Sequence, residues 1–197
     1  MITEQGADVR LYRHRESWRD TRTQHREGGP ISVAEATDAD VAAFATFFRE
    51  AWKQAGPGAL GFVGASDQVI AELTAPEAVL ERIGGPDRRM FLAWEGGRVV
   101  GFAATKRIDA ATVELAGIIV LQTMAGGGVG TRLVEEALNS ARGEGYRKMI
   151  VRTETTNERA RAFYERRGFI GTGSTTEQVE GTAVEVWELA REISSSH

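Results

Sequence analysis

A glycine-rich segment at residues 125–131, Ala-Gly-Gly-Gly-Val-Gly-Thr, constrains the fold of this chain more than any other feature. It follows a stretch at residues 112–121 that alternates as a strand does, and it leads into residues 129–141, whose apolar side chains recur at helical spacing. Inside a regular element each glycine costs about 0.5–1 kcal/mol relative to alanine. The segment therefore predicts a sharp connection from a strand into a helix.

A connection of this kind can bind an anion. The first N–H groups of a helix have no partner within the helix and lie at the positive end of its dipole. Because glycine has no Cβ, phosphate oxygens can approach the backbone closely. The segment is not a Walker motif, since no Lys-Ser or Lys-Thr follows the glycines. It is closer to a dinucleotide-binding motif, although Thr131 stands where the third glycine would fall.

The rest of the chain predicts a mixed sheet with helices, an α+β fold. The expected strands lie near residues 31–33, 90–94, 99–106, 112–121, 148–154, 170–179 and 182–189, and the expected helices begin near residues 37, 67, 74, 129 and 157. Thr37 and Thr74, each followed three positions later by an acidic residue, are predicted helix caps. Gly96 and Gly97 predict a tight hairpin between two antiparallel strands.

Composition excludes several classes of protein. The 197 residues include no cysteine, which removes disulfides, thiolate metal sites and cysteine nucleophiles. A formal charge of -4 disfavours a nucleic-acid partner, and no apolar run approaches the roughly 20 residues that span a membrane. We expect a cytoplasmic protein with a polar extension at residues 1–30, a domain at residues 31–192 and a disordered tail at residues 193–197. All three histidines lie in these terminal segments, so no metal site is expected.

Two segments resemble the GNAT superfamily of N-acetyltransferases. The first is Ile-Ile-Val-Leu-Gln-Thr-Met-Ala-Gly-Gly-Gly-Val-Gly-Thr-Arg-Leu at residues 118–133, and the second is Asn-Glu-Arg-Ala-Arg-Ala-Phe-Tyr-Glu-Arg-Arg-Gly-Phe at residues 157–169. The order of predicted elements over residues 31–191 is also similar to that fold. The resemblance implies a GNAT-like three-layer α/β/α architecture around a mixed, mostly antiparallel sheet of about seven strands.

The resemblance also implies an activity. It is the transfer of an acetyl group from acetyl-CoA, the cosubstrate, to a primary amine by direct attack in a ternary complex, with no metal. The acceptor would be a small-molecule or peptide amine, and the protein would be able to form a homodimer. Two alternatives stay open: a non-catalytic regulator that binds acyl-CoA and, more remotely, a dinucleotide-binding protein.

The resemblance assigns the coenzyme site to particular residues. The pantetheine arm would pair with the backbone of three strand residues: Ile118, Ile119 and Val120. The pyrophosphate would bind to the backbone amides of the turn and the helix start: Gly126, Gly127, Gly128, Val129, Gly130 and Thr131.

Two further side chains are assigned in the same way, and two positions depart from the family pattern. Asn157 would steady the pantetheine arm, and Tyr164 would face the thioester sulfur. Ala125 replaces the usual Arg or Gln, and Gln122 replaces a common proline. Because backbone amides do most of the binding, we expect the change at Ala125 to weaken coenzyme binding without abolishing it.

The chemistry needs a base and an acid. An alkylamine with a pKa of ~10 is protonated at neutral pH, so some group must accept its proton. The candidate base is Glu114, which strand alternation places beside the coenzyme edge on the face of Ala116 and Ile118. A solvated carboxylate is the alternative for Glu114, and Glu154 is the second choice. Tyr164 is the candidate acid, since a phenol of pKa ~10 can protonate a thiolate of pKa ~8.5, and a packed ring is the alternative.

Overall fold

The computed structural model describes residues 30–55, 67–179 and 182–194. The extension predicted at the N-terminus therefore lies outside the described residues up to residue 29, as do residues 195–197 of the predicted tail. In the part of the chain that is described, no helix is both long enough and apolar enough to cross a membrane.

Seven strands form one mixed sheet, as predicted. They are β1 (Ser32–Glu35), β2 (Arg88–Glu95), β3 (Arg98–Arg107), β4 (Thr112–Val120), β5 (Lys148–Glu154), β6 (Ile170–Val179) and β7 (Thr182–Glu192). Their order across the sheet is β1-β2-β3-β4-β5-β7-β6. Among these described strands β4 and β5 pair in parallel and every other neighbouring pair is antiparallel. A dinucleotide-binding fold needs a doubly wound parallel sheet, so that alternative is wrong.

Helices cover both faces of the sheet. They are α1 (Val41–Ala55), α2 (Asp67–Leu73), α3 (Pro76–Gly84), α4 (Val129–Gly143) and α5 (Glu158–Glu165). Phe44 of α1 packs edge-on against Phe102 of β3, with ring centroids 5.3 Å apart. A Cβ on the neighbouring Gly101 would lie 3.1 Å from the Leu133 side chain of α4. Since adjacent strand residues point to opposite faces, the sheet has an α1 face and an α4 face.

The core between α4 and the sheet holds the glycine-rich connection in place. The apolar stripe predicted for α4 is buried along its whole length: Val129, Leu133, Val134, Ala137, Leu138 and Ala141. Full burial of a valine or leucine side chain contributes about 1.5–3 kcal/mol. The N-terminal end of α4, and with it the glycine turn (residues 126–130), is thereby anchored to the sheet.

Two predicted local signals are confirmed. Gly96 and Gly97 have φ angles of 56° and 79°, which is the left-handed backbone that the tight β2–β3 hairpin requires. Before α1, the Thr37 N–H donates to Asp40 Oδ2 at 2.8 Å and the Thr37 hydroxyl donates to the same oxygen at 2.9 Å. These bonds stabilise a 3-10 turn from which α1 continues.

The predicted cap at Thr74 is wrong. The N-cap of α3 is Ala75, and Pro76 occupies the first turn of the helix. The Thr74 hydroxyl instead donates to the Ile70 carbonyl at 2.8 Å, so it closes the end of α2. Tertiary packing decides the outcome, because Thr74 is buried between the two helices.

The domain also continues one residue further than predicted. Ile193 is 5% exposed and belongs to the core. Its N–H donates to the Arg147 carbonyl at 2.8 Å. Ile193 therefore belongs to the domain and not to the predicted tail, because a buried aliphatic side chain and a backbone hydrogen bond hold this residue to the sheet.

Candidate active site

The parallel strands β4 and β5 separate soon after they begin to pair. Their last pair is Glu114 with Ile150. Beyond it, β4 continues along β3 as far as Val120, and β5 continues along β7 as far as Glu154. The β4–β5 gap thus exposes strand edges with backbone groups that have no strand partner. An extended ligand can pair with such edges, as a peptide does when it adds to a sheet.

The three residues predicted to pair with pantetheine lie along this gap, but only two of them direct their backbone groups into it. Leu121 donates its N–H to the Val100 carbonyl of β3 at 3.0 Å. Because backbone groups alternate between the two edges of a strand, Ile118 and Val120 direct theirs into the gap. Ile119 directs its backbone toward β3. The gap edge of β4 therefore offers the amides of Ile118 and Val120, and Ile119 contributes its side chain alone.

The turn after β4 leaves amides free at the start of α4. Gly128 is the N-cap, and its carbonyl accepts from the Arg132 N–H at 3.1 Å. Within the described residues, the amides of Val129, Gly130 and Thr131 have no backbone acceptor. These N–H groups converge at the positive end of the helix dipole, where an anion is stabilised.

The glycine turn itself depends on glycine. Gly126 and Gly128 have φ angles of 83° and 79°, in the left-handed region that residues with a Cβ rarely adopt. The Gly127 amide donates to the Met124 carbonyl at 3.2 Å, so this predicted phosphate ligand is engaged within the turn. Helix α4 has no acidic residue in its first turn, so no carboxylate competes with an incoming anion there.

Helix α5 packs against the start of α4. A Cβ on Gly130 would lie 3.2 Å from the Phe163 ring, so the two helices can approach closely here only with glycine at this position. Arg167 donates to the Thr131 hydroxyl, and its guanidinium carbon lies 3.5 Å from the centroid of the Phe163 ring. The arginine places a positive charge beside the free amides of α4, which favours an anion there.

The two side chains predicted on α5 lie at its opposite ends. Asn157 Oδ1 accepts from the Ala160 N–H at 3.0 Å, so the side chain caps α5, as predicted. Tyr164 is 6% exposed. Its ring packs between Phe163 and Phe169, with centroids 5.2 and 5.7 Å away. Its hydroxyl has no hydrogen-bond partner among the described residues, which leaves it available to a ligand.

Burial changes what the Tyr164 hydroxyl can do. Desolvation raises the pKa of Tyr164 to about 12, and the nearby charge of Arg167 opposes this increase only in part. The hydroxyl is therefore protonated at neutral pH. With this pKa it is a much weaker acid than a thiol of pKa ~8.5, so full proton transfer to a thiolate is unfavourable. A hydrogen bond to negative charge developing on sulfur remains favourable.

A β-bulge makes the predicted face of Glu114 wrong. Leu115 and Gly117 face consecutive residues of β3, so Ala116 has no partner in the register. One extra residue reverses the side-chain alternation beyond it. Glu114 and Ile118 therefore lie on opposite faces of β4, not on one face as alternation predicts.

Glu114 belongs to the α1 face, the face opposite α4. Gly117 is on that face, since a Cβ there would lie 3.9 Å from the ring of Phe102. Glu114 and Gly117 face Lys106 and Ala104, which lie two residues apart on β3 and so share a side. Since Glu114 is also the last β4 residue paired with β5, its carboxylate lies at the point where the gap opens.

Sequence reasoning missed the network of charged side chains to which Glu114 belongs. Arg152 Nη1 donates to Glu114 Oε1 at 3.2 Å, and Arg152 Nη2 donates to Glu188 Oε2 at 3.0 Å. The Thr172 hydroxyl completes the network by donating to Glu188 Oε1 at 3.2 Å. The side chains of Glu114, Arg152 and Glu188 are 15%, 27% and 31% exposed, so solvent screens their charges only partly.

A signal for this network exists in the sequence. Arg152 and Glu188 interrupt strands whose neighbouring residues, Val151 and Leu189, are fully buried apolar side chains. A charged residue at such a position needs a partner of opposite charge. The sequence does not say which one, because the partners lie 36 and 38 residues apart along the chain. Glu154, the second choice for the base, lies at the end of β5 within 3.5 Å of the Thr156 hydroxyl.

These elements form one site on two faces. Free amides and a positive charge lie at the start of α4, and strand edges line the gap. The carboxylate of Glu114 lies on the α1 face at the branch point, which is the place where β4 and β5 separate. The arrangement can hold an extended ligand whose anionic group binds at α4 and whose other end reaches Glu114.

Several known proteins are similar to this chain in sequence or in fold. An uncharacterised N-acetyltransferase of Mycobacterium tuberculosis is 28% identical over 113 residues, which cover 57% of this chain and 72% of the relative. The PaiA N-acetyltransferase from Thermoplasma acidophilum, solved in complex with coenzyme A, has a TM-score of 0.62 at 19% identity over 83% of this chain and 99% of that chain. An N-acetyltransferase from Staphylococcus aureus has a TM-score of 0.65 at 20% identity over 84% of this chain and 100% of that chain. The two solved structures show the shared fold.

The model of the acetyltransferase (GNAT) family matches residues 65–169. This region is more than half of the chain, and it contains β4, the glycine turn, β5 and α5. The chain therefore belongs to the GNAT acetyltransferase family.

Proposed function

We propose that the protein is an acetyl-CoA-dependent N-acetyltransferase that acetylates a primary amine by direct attack in a ternary complex. The observation that carries this proposal is the β4–β5 gap, which leads along a free strand edge to unpaired amides at the start of α4. The geometry fits a ligand with an extended polar arm and a phosphate group, which are the chemical features of coenzyme A.

On the coenzyme side, backbone groups make most of the contacts. The amides of Val129, Gly130 and Thr131 would bind the pyrophosphate, and Arg167 would add a positive charge beside it. The gap edge of β4 at Ile118 and Val120 would pair with the amides of the pantetheine arm. These contacts would place the thioester near the branch point of β4 and β5.

The transfer step then uses groups on both faces. The neutral amine attacks the carbonyl carbon of the acetyl group, so that a C–N bond forms and the C–S bond breaks. Glu114 accepts the proton that the amine loses, through a water molecule, and Tyr164 donates a hydrogen bond to the departing sulfur. Holding both reactants in one site lowers the barrier further, because it removes the entropy cost of their encounter.

The test is a pair of measurements on the full chain. Calorimetry with acetyl-CoA should show binding, and a thiol-release assay across classes of primary amine should show turnover that depends on the amine. Binding without amine-dependent thiol release would support the non-catalytic regulator instead. If calorimetry showed no binding of acetyl-CoA, both the acetyltransferase and the non-catalytic regulator would be ruled out.

A further inference from the structure

A cationic cleft on the α1 face belongs to no part of the site described above. It has a volume of about 440 Å³ and opens beneath the C-terminal end of α3. Three basic side chains line it, Arg82 of α3, Arg88 of β2 and Lys106 of β3, together with two acidic ones, Glu81 and Asp87. The chain as a whole has a formal charge of -4, so a cluster of three cations is a local exception.

The positive charge of this cleft is only partly neutralised, since its three basic side chains outnumber its two acidic ones. Arg88 and Lys106 form no side-chain ion pair or hydrogen bond with any residue that the structure describes. Arg82 donates to the Leu73 carbonyl at 2.9 Å. Burial, followed by the charge of Arg88, lowers the pKa of its guanidinium, and the charge of Glu81 opposes this change only in part. Asp87, which also lines the cleft, forms its ion pair with Arg107 at 3.8 Å. An anion in the cleft would relieve this repulsion between like charges.

The cleft lies on the same face as the candidate base and close to it. In the strand register Arg88 faces Lys106, and Lys106 faces Glu114. Residues that face each other across neighbouring strands share a side of the sheet, and the strands are about 4.8 Å apart. The backbones of Arg88 and Glu114 are therefore separated by about 10 Å, which is the length of a small bifunctional molecule.

Charge changes sign along the row of facing residues formed by Arg88, Lys106 and Glu114. Arg88 and Lys106 are cationic, whereas Glu114 and Glu188 share a single guanidinium, that of Arg152, so one negative charge is left over. A molecule with an ammonium group at one end and an oxyanion at the other would match both halves of the row.

We propose that the cleft binds a carboxylate or phosphate group of the acceptor, so that the acceptors are primary amines that carry an oxyanion within about 10 Å of the nitrogen. This inference rests on the proposed function, since it takes Glu114 to mark the position of the reacting amine. Amino acids and aminoalkyl phosphates are the chemical classes that meet this requirement.

The test compares acceptors that differ only in the oxyanion. 4-Aminobutanoate is paired with butylamine, and 2-aminoethyl phosphate is paired with ethanolamine. The native protein should use the anionic member of each pair with a kcat/KM about tenfold higher or more, since one charge-assisted contact is worth about that factor. Equal or faster turnover of the neutral amines would overturn the proposal.

Variants separate the cleft from the rest of the site. Arg88→Gln and Lys106→Gln should each remove most of the preference by raising KM for the anionic acceptors far more than KM for butylamine. Arg147→Gln is the matched control, because it removes an exposed cation between α4 and β5 that does not line the cleft. If Arg88→Gln and Lys106→Gln lowered the rates of both members of a pair equally, the cleft would have no role in recognising the acceptor.

A binding measurement distinguishes failure of this inference from failure of the proposed function. With acetyl-CoA in excess to fill the α4 site, inorganic phosphate should bind to the native protein and to Arg147→Gln, and about tenfold more weakly to Arg88→Gln. If no amine is acetylated but phosphate binds in this pattern, the proposed function fails and the anion site remains. If amines are acetylated without preference and phosphate does not bind, the anion site fails and the proposed function remains.

Discussion

The two sides of the β4–β5 gap are built from different chemical groups. On the α4 face the binding groups are backbone amides from consecutive residues of one helix start, Val129 to Thr131. On the α1 face they are the side chains of Glu114, Arg152 and Glu188, which come from three strands. A backbone site needs only the correct turn, whereas a side-chain site needs each residue type and each strand in its place. The backbone site at α4 should therefore tolerate substitution of nearby side chains, whereas the side-chain site around Glu114 should not.

The largest expected effect is on the α1 face. Glu114→Gln keeps the size of the side chain and removes the base, so kcat should fall by about 10²- to 10⁴-fold. Acetyl-CoA affinity should change little, because most of the proposed coenzyme contacts are made by backbone groups of β4 and α4. The matched control is Glu154→Gln, which removes a carboxylate outside the Arg152 network. Thiol-release kinetics and calorimetry measure the two quantities, and a larger loss of kcat in Glu154→Gln would reassign the base.

The second prediction concerns the stability of the side-chain network. Arg152→Met removes the guanidinium that two partly buried carboxylates share, so the free energy of unfolding should fall by about 3 kcal/mol. Arg107→Met breaks a pair whose side chains are 50% and 61% exposed and should cost at most about 0.5 kcal/mol. Urea unfolding measures both values. Similar losses in the two variants would show that the network does not act as a buried unit.

The third prediction uses pH. Since burial raises the pKa of Tyr164 to about 12, from ~10 in an unfolded chain, the folded state holds this proton more tightly. The corresponding stability is fully present below pH ~10 and is lost as the pH rises to ~12, a change of about 2–3 kcal/mol. Tyr164→Phe should remove this component of the pH dependence. Denaturant unfolding between pH 9 and pH 12 measures it, and identical profiles for the two proteins would contradict the assignment.

The smallest expected effect is on acetyl-CoA binding at the backbone amides of the α4 face. Gly127→Asp places a carboxylate beside the free amides, where it should weaken acetyl-CoA binding about tenfold by repulsion of the pyrophosphate. Gly127→Asn is the matched control, because it has nearly the same shape without the charge. Both variants crowd the Met124 carbonyl, which a Cβ at this position would approach to 3.3 Å. Calorimetry should show that the asparagine variant binds more tightly than the aspartate variant, and equal affinities would argue against an anion at this helix start.

Local signals predicted the backbone side well. The glycine pattern at residues 125–131 predicted the turn, the helix and the free amides, because a left-handed backbone and a helix start depend on neighbours in the sequence. The prediction failed for the Gly127 amide, which bonds to Met124 within the turn, and for Ile119, whose backbone faces β3. The edge to which a residue directs its amide depends on the register with another strand, which the sequence of β4 alone does not contain.

The sequence by itself determined the α+β class, the order of the elements, the apolar stripe of α4 and the glycine turn, since each follows from the spacing of residues within one segment. Only the tertiary structure decided the face of Glu114, through a bulge at Ala116 that depends on how β3 and β4 pair. It also decided that Arg152 and Glu188 join Glu114, and that Tyr164 is buried enough to raise its pKa. Long-range pairing and desolvation arise only when distant segments pack together, and for this reason the side-chain half of the site became visible only in the folded chain.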